Sequence, residues 1–191
     1  DVQRDIEFDP LTSKDCEAIK IGLGLGIRHF ALSFANTPED VDKMRALCGP
    51  DANIICKIES PSGLTNLDGI VNLADEILID RGDLSREVPI ELIPTYQKMI
   101  IKTAKDHNRK VYVATNLLES MVKEPMPTRA EVNDIFNTFL DGADGVGENV
   151  GLEAEVQGVY HGVQHAVIGS QAADKDPLDA GQAELLFQVG V

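Results

Sequence analysis

Residues 54–59 read Ile54-Ile55-Cys56-Lys57-Ile58-Glu59, and residues 77–83 read Ile77-Leu78-Ile79-Asp80-Arg81-Gly82-Asp83. Each is a short apolar run that ends in charge. Side chains alternate along a strand, so Lys57 and Glu59 share one face while Cys56 and Ile58 share the other. The runs are near-continuously apolar, as expected for parallel strands covered on both faces. Five such runs are read along the chain: His29–Phe34, Ile54–Glu59, Ile77–Asp80, Lys110–Thr115 and, more weakly patterned, Ala143–Val146. Spacings of about 20–35 residues leave room for one crossover helix between neighbours.

The helix starts are marked by their chemistry. Thr37-Pro38-Glu39-Asp40 supplies an N-cap, a proline at the first helical position and acids in the first turn, with Gly49 closing the helix. Thr128-Arg129-Ala130-Glu131 fits a capping box, and Thr12 with Asp15 is a weaker version of it. A long helix is predicted over 90–106, with Pro94 tolerated near its first turn. Another is predicted from Leu152 to just before Gly169. Repeated strand–helix units define an α/β fold with a parallel sheet. The expected class is the (β/α)8 TIM-barrel type, with five units in this chain where closure needs eight and about 250 residues. Edges left open by five strands call for a partner, a further segment or an open sheet. The barrel-type domain is assigned to residues 1–169, and 170–191 to a tail without an assigned role.

Composition narrows the function. The chain has 191 residues, of which 43% are hydrophobic and 26% charged, as in an ordinary globular domain. A net charge of −15 opposes general binding to nucleic acid or to anionic membranes, though not a locally basic pocket for an anionic metabolite. No apolar stretch approaches the roughly 18–20 residues that cross a bilayer. The first residues, DVQRDIEF, carry no signal-peptide core. Cys16, Cys48 and Cys56 are odd in number and lack CxxC spacing, which reads as reduced thiols and a cytoplasmic location.

The chemistry gathers at the carboxyl ends of the strands, where parallel α/β folds bind their ligands. Lys57 beside Glu59 is costly to bury without a task. Glu59 could bind a metal and Lys57 could neutralise a phosphate or enolate; a structural ion pair is the alternative. Asp80, Arg81 and Asp83 end the next strand, and Gly82 lets the backbone turn and approach a ligand closely. Glu59 and Asp83 could therefore share one hard divalent cation such as Mg²⁺ or Mn²⁺, which needs few protein carboxylates. Thr115 could donate or relay a proton and Asn116 could orient a substrate, although strand-end hydroxyls also cap turns. Arg81-Gly82-Asp83 also spells an adhesion tripeptide, but its place directly after a buried strand disfavours display. His161 and His165 lie four apart on a predicted helix, without a third ligand or an HExxH pattern.

Taken together, these strand ends resemble the pyruvate kinase family. Cys56-Lys57-Ile58-Glu59-Ser60 resembles its SKIEN-type strand, and IDRGDLS (79–85) its ARGDLG segment. VATNLLESM (113–121) resembles ATQMLESM, PMPTRAEVND (125–134) resembles PRPTRAE, and DGAD (141–144) resembles the start of the last barrel strand. The resemblance covers about 11–166. It implies roughly the fourth to eighth strands of a (β/α)8 barrel that transfers phosphoryl from phosphoenolpyruvate to ADP, with Mg²⁺ (or Mn²⁺) and usually K⁺.

On this resemblance Glu59 and Asp83 hold the metal, Lys57 stabilises the transferring phosphoryl group and Thr115 assists enolate protonation. The Gly82 and Asp83 amides cradle the substrate carboxylate, and Arg81 supports the loop. The resemblance also implies phosphoenolpyruvate/pyruvate and ADP/ATP as partners, and a homo-oligomer or association with the remaining barrel segments. The family's K⁺ and nucleotide ligands lie on strands outside these 191 residues. Asp80 stands where the family has Ala, Ser85 where it has Gly, and Asn116 where it has Gln. GVGENVG follows DGAD where the family has IMLSGETA. A pyruvate kinase-like module that keeps metal and an α-keto or phospho-acid without turnover is therefore the second reading.

Overall fold

The computed structural model describes residues 10–147 and 187–189. Helix α1 (Ser13–Gly24) leads into strand β1 (His29–Leu32), followed by α2 (Pro38–Cys48) and β2 (Asn53–Ile58). Two short helices, α3 (Pro61–Thr65) and α4 (Leu67–Leu73), precede β3 (Glu76–Asp80). Helix α5 (Arg81–Glu87) and helix α6 (Ile93–Asp106) come before β4 (Lys110–Ala114). Helix α7 (Arg129–Leu140) is followed by β5 (Gly145–Gly147), and Phe187–Val189 forms β6. The strands make one sheet in the order β5-β4-β3-β2-β1-β6, and every pairing is parallel.

All five expected strands form, each within a residue or two of its predicted ends. The tail, to which the sequence assigned no role, contributes a sixth: β6 pairs with β1, placing 187–189 beside 30–32. One edge of the five-strand set is thus met by the chain's own later residues. The helix expected over 90–106 is split. Ile90–Leu92 forms a 3-10 turn, and the α-helix starts at Ile93 with Pro94 in its first turn, where the missing N–H costs nothing. The helix predicted from Leu152, with His161 and His165, lies outside the described residues.

Capping chemistry sets the helix starts. Thr12, Thr37 and Thr128 each accept the amide of the third helical residue, and Asp15, Asp40 and Glu131 reach back to the cap amide. All three starts are complete capping boxes, each worth about 1 kcal/mol.

Strand alternation then builds the core. Ile54, Cys56 and Ile58 of β2, Ile77 and Ile79 of β3, and Val111 and Val113 of β4 form one cluster with Ile19, Met44, Ile70, Ile100 and Ile101 from the helices. Ile54, Ile58, Ile77 and Ile79 are fully buried, each contributing roughly 1.5–3 kcal/mol. A smaller cluster joins Leu117 and Leu118 to Ile135 and Phe139 of α7. Lys57 and Leu78 are paired in register on the other face of the sheet, away from the helix-packed cluster. This is a parallel α/β sheet interleaved with helices, as in part of a (β/α)8 barrel.

Candidate metal centre at the strand ends

The carboxyl ends of β2, β3 and β4 bring Lys57, Glu59, Asp80, Asp83 and Thr115 together. Register explains it: Lys57 pairs with Leu78 and Asp80 with Ala114, so Glu59, Asp80 and Thr115 emerge at nearly the same height. Lys57 Nζ lies 2.7 Å from Glu59 Oε1 and 3.2 Å from Asp80 Oδ2. All three side chains are almost completely buried. The expected Lys57–Glu59 pair is present, and Asp80 makes it a triad.

Glu59 Oε2 accepts the Phe34 amide at 2.6 Å. Its Oε1 is closed off from solvent, and no donor is aligned on it, so its contact with Lys57 is an ion pair without hydrogen-bond geometry. Burial pushes the Glu59 carboxyl above its ordinary range, offset only in part by the Lys57 ammonium and the Phe34 amide. For Lys57, burial pulls downward, but contact with Glu59 and the charges of Glu59 and Asp80 outweigh it and hold the ammonium above its usual value. Lys57 is therefore a stable positive charge at neutral pH.

One carboxylate oxygen each from Glu59, Asp80 and Asp83 fall within 4.8 Å of one another. An all-oxygen donor set of this kind suits a hard divalent cation such as Mg²⁺ or Mn²⁺. The fit lies in the donor chemistry: three carboxylates at adjoining strand ends, with the buried Oε1 of Glu59 facing the Lys57 ammonium. Asp83 is the most accessible member, with Oδ1 held by Arg86 at 3.0 Å.

The loop after β4 closes the site. Thr115 and Asn116 have φ of 69° and 56°, a left-handed conformation that is rare for a β-branched residue. Buried Arg81 holds them there. Its Nε and Nη2 donate to the Thr115 carbonyl, both at 3.2 Å, and Nη2 donates to the Asn116 carbonyl at 2.7 Å. Nη1 pairs with Asp134 at 2.8 Å and reaches Gln97 at 3.5 Å. Asn116 thus meets Arg81 through its backbone. The Thr115 hydroxyl accepts the Gly82 amide at 2.8 Å and has the Ala114 carbonyl and Asp80 Oδ1 as its own acceptors, at 2.6 and 3.1 Å.

Gly82 sits inside α5 rather than in a tight turn, so the reading that it serves turn geometry is corrected. What it provides is close approach: a Cβ there would come within 3.2 Å of Thr115 Oγ1. The Asp83 amide is directed at Asp80 Oδ1, at 3.4 Å. Both amides expected to cradle a substrate carboxylate therefore face side-chain oxygens.

Sequence reasoning missed Phe34, Gln97 and Asp134. Gln97 left a trace, as a polar residue on the apolar face of α6, where it is buried and donates to Thr138. Phe34 left none: its φ of 47°, which aims the amide at Glu59, is a product of tertiary contact.

A parallel α/β sheet with a lysine and three carboxylates gathered at its carboxyl ends defines a barrel-type class with a cluster able to coordinate a divalent metal. Within that class, residues 2–157 match the family model described as "Pyruvate kinase, barrel domain". The chain is 45% identical over 143 residues to a pyruvate kinase of Thermotoga maritima, covering 73% of this chain and 31% of that protein. It is 44% identical over 141 residues to one of Agrobacterium vitis, covering 74% and 29%. Against one of Thermoplasma acidophilum it is 44% identical over 144 residues, covering 74% and 26%. The chain belongs to the pyruvate kinase barrel family, and it spans about three-tenths of the length of these relatives.

Proposed function

We propose that this chain supplies the metal and phosphoryl side of a pyruvate kinase-type site, which transfers phosphoryl from phosphoenolpyruvate to ADP. The observation that carries the reading is Lys57, a buried ammonium in contact with Glu59 and Asp80, whose carboxylates gather with that of Asp83 at adjoining strand ends. Glu59 and Asp83 would hold Mg²⁺ or Mn²⁺; that ion supplies charge neutralisation at the transferring group. Lys57 presents a fixed positive charge where phosphoryl oxygens accumulate negative charge. Thr115, whose carbonyl Arg81 holds, would assist protonation of the enolate through its hydroxyl. The Gly82 and Asp83 amides, which face Thr115 Oγ1 and Asp80 Oδ1 in this structure, would have to exchange those oxygens for the substrate carboxylate, with Asn116 beside it. K⁺ is implied by the family alone.

The barrel unit is read as 1–169, completed by further barrel segments or by a second copy in a homo-oligomer. Three unpaired cysteines, Cys16, Cys48 and Cys56, support a cytoplasmic reading. The acidic balance supports no nucleic-acid partner, and among the described residues no helix is long and apolar enough to cross a membrane.

Mg²⁺-dependent exchange of the pyruvate methyl protons tests the site without requiring nucleotide. Glu59→Gln is expected to lower the exchange roughly 100-fold or more. Exchange that survives Glu59→Gln unchanged would sink the assignment. A second reading, a module that binds metal and an α-keto or phospho-acid without turnover, is favoured by the contact of Asp80 with Lys57. Oxalate binding with Mg²⁺ and no turnover of phosphoenolpyruvate with ADP would select it.

A further inference from the structure

We infer that Asp80 is an internal competitor for anions, a built-in carboxylate that occupies the donors an anionic ligand of this site would use. The inference rests on the proposed reading of the strand ends as the ligand site and names a residue that sets its selectivity.

The Lys57 ammonium, the Asp83 amide and the Thr115 hydroxyl surround the Asp80 carboxylate, the hydroxyl having the Ala114 carbonyl as its nearer alternative acceptor. Lys57 Nζ lies 3.2 Å from Oδ2. The Thr115 hydroxyl lies 3.1 Å from Oδ1, and the Asp83 amide 3.4 Å from the same oxygen. Both Asp80 and Lys57 are buried, so these contacts are shielded from solvent. A cation, a hydroxyl and a backbone amide presented together are the donor set for a carboxylate or phosphoryl group. Asp80 fills that set from inside the protein.

Its charge acts in the same direction. The single ammonium of Lys57 already faces Glu59, and Asp80 adds a second negative charge at the same nitrogen. Lys57, Glu59, Asp80 and Asp83 together carry a formal net charge of −2, from one positive and three negative groups, and the balance stays negative at −1 when the exposed Arg86 that pairs with Asp83 is counted. A divalent cation is drawn to that balance, whereas an anion arriving without a metal is repelled. An incoming carboxylate must displace Asp80 from Thr115 and from the Asp83 amide, or bind without them. Neither cost applies to a cation, for which Asp80 offers a further oxygen. The site is therefore selective for cation over free anion, and Asp80 sets that selectivity.

Calorimetric titration of the full chain with oxalate, in metal-free buffer and again with Mn²⁺, tests this in the native protein, Asp80→Ala and Asp80→Asn. Freeing charge-assisted donors is expected to tighten oxalate roughly ten-fold or more in Asp80→Ala. A smaller gain is expected in Asp80→Asn, which keeps a carbonyl acceptor but loses the charge. Oxalate affinity that is unchanged or weaker in the folded variants overturns the inference. If Asp80→Ala does not fold, Asp80→Asn decides alone. Water-proton relaxation by Mn²⁺ in the native protein and in Glu59→Gln addresses the metal reading separately. Should Glu59→Gln bind Mn²⁺ as well as the native chain, that reading fails, while the metal-free oxalate comparison still decides the role of Asp80.

Discussion

The two ends of this sheet use carboxylates in opposite ways. At the amino ends of the strands, Asp75 accepts the Ile54 amide at 2.7 Å and pairs with Arg45. Asp144 repeats the arrangement two strands away, accepting the Val111 amide at 2.8 Å and pairing with Lys105. Each has one cation and one strand amide, and both stay partly open to water. At the carboxyl ends, Glu59 and Asp80 crowd one lysine out of reach of solvent, and one oxygen of Glu59 lacks an aligned donor. Asp75 and Asp144 each have a cation of their own, whereas the carboxylates at the carboxyl ends share a single buried ammonium. Two carboxylates sharing one buried cation, against one partly exposed cation for each carboxylate, is what separates the two ends.

Breaking the crowded end should have the largest effect. Lys57→Met leaves Glu59 and Asp80 buried without their cation and is expected to cost about 3–5 kcal/mol in denaturant unfolding. A loss below about 1 kcal/mol would mean that water reaches both carboxylates, and the contrast between the two ends would disappear. At the amino end, Asp75→Ala removes one amide partner and one half-exposed ion pair. The expected cost is about 1–2 kcal/mol, and Asp144→Ala should match it because the motif is repeated. Unequal costs would show that the two strand starts are not equivalent.

The smallest effect sharpens the comparison through pH. Slight burial of Glu131 is outweighed by donors from Ser120 and Thr128, which hold its carboxyl down at about 2. A depressed carboxyl stabilises the fold above its unfolded value and stops doing so as pH falls through the folded one. Amide exchange at Ser120 and at the start of α7 should therefore quicken as pH drops from about 4.5 towards 2, relative to the exchange chemistry of a free peptide. In Glu131→Gln this extra acid sensitivity should vanish. Glu59 contrasts with Glu131: burial has raised it, so its ionised form is disfavoured by folding and gains from a cation.

Much of the fold could be read along the chain because its signals are local. Capping at Thr37 and Thr128 needs only a threonine and an acid three residues apart, and each forms as read. The apolar runs place five strands because burying isoleucine and valine on both faces is a property of each segment. The break at 90–92 was less legible, since proline is compatible with both a helix start and a preceding 3-10 turn. β6 was illegible for another reason: an edge pairing with β1 depends on a partner more than 150 residues away in sequence.

The candidate site divides along the same line. Alternation along β2 put Lys57 and Glu59 on one face, and the order of the strand ends put Asp83 near them. These follow from the sequence because strand periodicity is fixed by backbone geometry. Only the tertiary structure decided that Asp80 turns to Lys57 and that Arg81 reaches 34 residues ahead to hold Thr115 in a left-handed conformation. Both depend on side chains from neighbouring strands meeting in a buried space, where an unpaired charge is so costly that partners are chosen by proximity and desolvation. Local sequence does not encode that choice.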